Sequence, residues 1–303
     1  MLLLLIHFAP CTLAWAQIYP ADSIAQVVSY WKKGDRQSYS VINEEIQIKG
    51  QDTTSHEFVT YDVDVLVKKE EKKSYLIEWR YRNLATTSND LVKSALIRLS
   101  ENVRTIYKTD ENGDYVELVN WKEIKKAIRN TMSRLKKEFV KKAPEVRKIF
   151  DNVSSLYESK ESIENLSLED VQQFHHFHGG KYKLGKSIQG TVEMPNAYGG
   201  DPFDAKLTVV LDSFDVENTV IYMRSMLAVD PEQLTNAGYN YMALLLKDTG
   251  ATIPTKEEVG EFSNEKNTTS IIHDSGWIIE STVTSVVTGA EHIYKNIRTI
   301  KLK

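Results

Sequence analysis

The stretch Phe174-His175-His176-Phe177-His178-Gly179-Gly180 places three imidazoles within four positions. Neutral imidazoles are metal ligands, and on a helix His175 and His178 lie on one face about a turn apart. Such a pair can share a zinc or copper ion if a third or fourth ligand arrives from elsewhere. No HExxH occurs, no acid lies within the stretch, and His273 and His292 are far away in sequence. A metal-dependent hydrolase built on His175, His176 and His178 is therefore one reading. The other is structural. Gly179-Gly180 ends a helix, Phe174 and Phe177 face a core, and the imidazoles meet the free carbonyls of the last turn. The structural reading accounts for more of the residues, so no metal and no cofactor is assigned.

Other chemistry is sparse, and no catalytic residue is assigned. No GxSxG elbow is present. Carboxylates are plentiful, but Asp62 and Asp64 alternate with valines as solvent-facing residues of a strand should. The loop MPNAYGGDPFD (194–204) is dense in turn dipeptides and carries Tyr198 and Phe203. It suits a ligand rim, since binding residues favour loops on a rigid scaffold. Its glycines do not follow a phosphate-cradling pattern.

The first sixteen residues, MLLLLIHFAPCTLAWA, read as a signal peptide cut after Ala14-Trp15-Ala16. The apolar run is too short to span a bilayer, which needs roughly 20 residues. The only cysteine, Cys11, would leave with it, and a thiol-free mature chain excludes disulfides, thiol catalysis and cysteine zinc sites. These features predict an exported protein of the bacterial periplasm or outer envelope.

The formal net charge of −4 argues against nucleic-acid binding. Lys122 to Lys148 holds eleven Lys and Arg against three Glu, so the rest of the chain carries about −12 once that surplus of eight is set aside. The basic stretch meets water by default. It also offers a face to an acidic partner protein or to an anionic membrane surface.

The elements that must position these residues are mostly strands. SYSVINEEIQIK, HEFVTYDVDVLVK and KSYLIEWRYR alternate with period two and form a meander. Val59, Tyr61, Val63, Val65 and Val67 share one face, as do Tyr75, Ile77, Trp79 and Tyr81. A short helix over Asp90–Leu99 and a hairpin turning at Asn112-Gly113 follow. The later part repeats the order with three strands (182–227), a helix from Asp230-Pro231 to Lys247, and a closing hairpin, Gly276–Val287 with His292–Leu302. That rhyme predicts an internal duplication; two coincidentally similar meanders are the alternative.

Between the halves, apolar residues from Trp121 to Val153 recur at steps of three and four. They mark a long helix capped by Asn120 and kinked or divided at Pro144. A second helix starts at Ser167, with Asp170 completing a capping box, and runs to the histidines.

The expected fold is α+β. About ten mostly antiparallel strands form one curved sheet or two half-barrels, with amphipathic helices over the concave face. Residues 17–157 make the first half and 158–303 the second. A leader, Tyr/Trp/Val-rich meanders and intervening helices resemble the periplasmic lipoprotein-carrier group (LolA- and LppX-like half-barrels) in architecture, with no residue motif carried over. The resemblance implies a carrier of lipid-like cargo. Inward-facing aromatics point the same way, and Tyr61, Tyr75, Trp79, Tyr81 and Tyr222, with Tyr198 and Phe203 of the loop, are the candidate ligand contacts. The expected function is non-enzymatic: holding an apolar or lipid-like ligand, or a partner chain, between sheet and helices. The remaining alternative is an assembly module presenting the basic helix.

Overall fold

A computed structural model describes residues 17–97, 103–141, 147–155, 157–196, 198–247 and 252–303. The expected leader with Cys11, the expected helix end at Leu99, and Lys142, Ala143, Pro144, Glu145 and Val146 of the basic segment lie outside these residues.

The described chain opens with two short strands, β1 (Ile18–Tyr19) and β2 (Ile24–Gln26). Three long strands follow: β3 (Arg36–Lys49), β4 (Asp52–Glu71) and β5 (Ser74–Thr86). Helix α1 (Leu91–Ile97) leads to the hairpin β6 (Arg104–Asp110) and β7 (Tyr115–Leu118). Four helices come next, α2 (Trp121–Val140), α3 (Arg147–Ser155), α4 (Lys160–Ser167) and α5 (Glu169–His175). Strands β8 (Lys181–Lys183), β9 (Ser187–Met194), β10 (Phe203–Asp215) and β11 (Val220–Val229) precede α6 (Pro231–Lys247) and α7 (Lys256–Val259). The end of the chain is β12 (Ser263–His273), β13 (Ile278–Gly289) and β14 (His292–Leu302).

Among the described residues, eleven strands form one curved antiparallel sheet, ordered β7-β6-β5-β4-β3-β14-β13-β12-β11-β10-β9, and β1-β2-β8 form a small second one. Read from β9, the large sheet is a single meander with its chain order rotated. The chain enters at the centre with β3, walks out to β7, crosses through α2–α5, and re-enters at the far edge with β9. It then walks back until β14 pairs with β3 over eleven residue pairs, His292↔Lys49 to Leu302↔Tyr39. The two halves are thus joined in one hydrogen-bonded layer.

The period-two pattern fixes the faces. Tyr39, Val63, Val65, Val67, Ile77, Trp79 and Tyr107 are buried on the concave side beneath Phe174 and Phe177 of the α5 segment, with Trp31 and Trp277. Helix α2 sends Ile124, Ile128 and Met132 into the same core, the stripe its spacing predicts. A smaller cluster of Phe203, Ala205, Val229 and Leu234 lies under α6.

Several local expectations are corrected. The chain closes with three strands rather than a hairpin, because β12 is a further strand and Gly276 belongs to the turn after it. Asn120 holds the N-cap position of α2, but its side chain makes no capping bond there. Its side chain accepts from Ile106 N at 2.8 Å and donates to Arg104 O at 2.7 Å, tying the helix start to β6. Nor does Ser167 open a capping box with Asp170. Ser159 caps α4, α5 begins after Leu168 without a side-chain cap, and Asp170 is drawn to partners on the sheet.

Candidate functional site

The histidines do not converge on an ion position. His175 Nδ1 bonds the Gly113 carbonyl at 2.6 Å and its Nε2 meets the Tyr107 hydroxyl at 2.8 Å. His178 Nε2 bonds the Gly276 carbonyl at 2.8 Å, and His176 Nε2 meets Ser225 Oγ at 2.7 Å. The acceptors are not the carbonyls of the helix's own last turn, as the sequence suggests. They are the β6–β7 and β12–β13 turns and a strand. Gly179 does adopt the left-handed conformation, with φ of 80°. Burial holds the His178 imidazolium at a disadvantage, with a pKa pushed down to about 4, and lowers His175 well below its ordinary value. Both rings are therefore neutral clamps between two turns. Among the described residues no three His, Cys, Asp or Glu side chains form a group able to hold a metal.

The candidate aromatics separate into three environments. Trp79 is fully buried, and Tyr75 packs on the same core while its hydroxyl donates to Ser29 O at 3.0 Å. Tyr222 lies between buried Ile221 and Met223 and is 36% exposed, so it faces outward rather than inward. Tyr61 and Tyr81, with ring centroids 5.5 Å apart and edge to face, stand where helical cover over the sheet gives way to an open cleft.

That cleft has a volume of ≈ 300 Å³ and lies between β3, β4, β5 and β14 on one side and α1 and α5 on the other. Val59, Leu84 and Ile97 add apolar wall; Asn43, Glu45, Glu169, Asp170 and Arg298 form a polar floor. Arg298 is buried, donating from Nε to Gln173 Oε1 at 2.9 Å and from Nη1 to Glu169 Oε2 at 2.5 Å, with Asp170 Oδ1 at 3.4 Å. The Tyr61 hydroxyl donates to Asp170 Oδ2 at 2.7 Å. Burial, followed by the Asp170 charge, raises both phenols well above their ordinary value, so they remain donors. Burial also raises Asp170, against the pull of the Arg298 charge. Asn43 Oδ1 is buried and has no hydrogen-bond partner among the described residues.

Tyr198 and Phe203 line a second, wider cleft of ≈ 590 Å³ between the β9–β10 loop and α6, where Tyr241 and Leu244 face them. The rings of Tyr198 and Tyr241 are 5.5 Å apart. Leu244 is 63% exposed, so this end of α6 is apolar and open. Several of its polar side chains are already committed: Gln233 to Asp204, Asn196 to its own loop, Asn236 to Lys256.

The carboxylate pairs are ion-paired supports. Asp64 is held by Arg36, Arg82 and Ser38, and Asp62 by Lys303 and Asn83. The basic helix is partly answered from within: Lys125 and Arg129 pair with Glu158, and Lys136 with Asp151.

Sequence reading missed Asn43, Asp170 and Arg298. The spacing from Ser167 makes Asp170 a cap residue, and Arg298 carries no reading beyond membership of the last strand. A cation flanked by Ile297 and Ile300 in a chain-terminal strand was the available signal, and it needed the β14–β3 pairing to acquire meaning.

No family model matches the chain, and no curated protein does. Among solved structures the chain is similar to lipovitellin, in a structure described as "Lipid-protein interactions in lipovitellin". The likeness covers 90% of this chain and 25% of that one, at 9% identity and a TM-score of 0.40. The chain thus spans a quarter of lipovitellin's length.

Proposed function

We propose that this is an exported, non-enzymatic protein of the bacterial envelope that holds an apolar or lipid-like ligand between its sheet and helices. One observation carries the reading. Over Tyr39, Val65 and Trp79 the space between layers is filled by Phe174, Phe177 and Trp31, whereas beside Tyr61 and Tyr81 the same face opens into a cleft. At ≈ 300 Å³ it is at the small end of ligand sites, and an aromatic wall over a few polar groups is their usual composition. The imidazoles, each engaged by a carbonyl or hydroxyl, give no support to hydrolysis.

Native mass spectrometry of the periplasmic protein tests the reading, with uptake of the uncharged dye diphenylhexatriene as the second measurement. The expected result is a retained small amphiphile and saturable dye uptake, both lost in Ile97→Trp, whose indole fills the cleft. A protein that carries nothing and takes up no dye overturns it.

A further inference from the structure

We propose that the cleft beside Tyr61 and Tyr81 takes a ligand whose polar end is a primary ammonium group, with its apolar part along Val59, Leu84 and Ile97. The inference rests on the cleft being a ligand site and adds what kind of head it accepts.

Hydrogen-bond accounting of the floor carries it. Three donors of the described floor are already engaged. The Tyr61 hydroxyl serves Asp170, Arg298 Nε serves Gln173, and Arg298 Nη1 serves Glu169. The Lys93 ammonium, on α1 behind the wall, lies 2.6 Å from Glu45 and 2.5 Å from Glu57. Acceptors are in surplus. Arg298 divides one charge between Glu169 and Asp170, and Lys93 divides one between Glu45 and Glu57. Lys266, close enough to Arg298 for the two cations to repel, is the third positive group. Among the described residues that line the cleft, Glu45, Glu169 and Asp170 thus stand against Arg298, and Asn43 Oδ1 has no hydrogen-bond partner. In register, Asn43 is the partner of Arg298 across the β3–β14 seam.

A buried acceptor without a donor is unfavourable, and a ligand N–H relieves it. A carboxylate or phosphate head would meet this surplus of negative charge. An ammonium brings three donors in a compact group, which suits Asn43, Glu45 and Glu169, and the ring faces of Tyr61 and Tyr81 attract it further.

Calorimetric titration of the full chain with decylammonium, decanol and decanoate, each below micelle formation, tests this. Decylammonium is expected to bind about tenfold more tightly than decanol, and decanoate more weakly than either. Glu169→Gln, an exposed and conservative change, is expected to cut decylammonium affinity roughly fivefold and decanol affinity far less, while Ile97→Trp removes both. Equal affinity for decylammonium and decanol overturns the ammonium assignment and leaves the ligand site standing. Failure of all three to bind overturns the site and the assignment together. A decylammonium preference that survives both substitutions places binding elsewhere and overturns the assignment.

Discussion

His175 at the end of α5 and His178 in the turn after it, with ring centroids 5.1 Å apart, bond to turns that are far apart in sequence. Gly113 closes the β6–β7 hairpin and Gly276 the β12–β13 hairpin, so two neutral imidazoles pin one turn from each half of the chain. Neutrality is the condition for this, because a buried imidazolium beside Trp31 and Phe174 would lack its hydration. The sign of the pH effect follows. An unfolded His178 takes up a proton near pH 6.5, whereas the folded one does so only near pH 4. Within that window the unfolded chain binds more protons, so stability is complete above it and falls as pH drops through it. Urea unfolding at pH 7 and pH 5 should differ by about 2 kcal/mol from His178 alone, with His175 adding in the same direction. In His178→Gln, whose amide can still donate to Gly276, that part of the slope should vanish. A slope unchanged by the substitution would show that His178 already titrates normally in the folded chain.

At the scale of elements, what the sequence reveals depends on how each element is covered. Strands β3, β4 and β5 have one face in the core and one in water, so Val, Tyr and Trp alternate with charged residues and the pattern is plain. Helix α2 is legible for the same reason, with its stripe buried and its lysines outside. Strand β12 is different. Its sequence, SNEKNTTSIIH, is polar over most of its length because two of its three buried positions are Thr268 and Ser270, with Ile272 the third. Hydrophobic periodicity is therefore weak there until Ile271 and Ile272, and a closing hairpin that starts at Gly276 leaves the strand uncounted. The cleft was half legible. Tyr61 and Tyr81 stood out as aromatics on one face, but Arg298 and Asn43 become neighbours only through pairing between the first and last long strands. The turn that was missed makes a sharp test. Gly276 has φ of 84°, and a Cβ there would lie 2.5 Å from Val28 O and 2.9 Å from Ser29 Cα. Backbone cannot step aside as a flexible side chain can. Gly276→Ala should therefore cost about 3 kcal/mol, combining left-handed strain with the clash, and a melting curve like that of the unsubstituted protein would refute the tight turn.

For the whole molecule, the rotated meander puts the longest-range pairing at the centre of the sheet. Strands β3 and β14, about 250 residues apart, make the seam on which both halves depend, and β14 also supplies Arg298 and Ile300 to the interior. Contacts of such sequence separation are entropically late, since each half can form its own hairpins before the ends meet. Deleting residues 291–303 therefore removes more than one strand's worth of burial. It bares the long edges of β3 and β13, leaves Asp170 buried without its cation, and unroofs Gln173, whose amide donates to the carbonyls of Ser281 and Arg298. An unpaired buried carboxylate alone costs about 3–5 kcal/mol, a large share of the margin by which any domain is stable, and an open edge of that length pairs with other chains. The truncated protein should keep strand signal in the far ultraviolet, lose its sharp thermal transition, and sediment as aggregates. A truncated chain that remained monomeric and unfolded cooperatively would mean that each half closes its own core, and that the central seam merely joins two units able to stand alone.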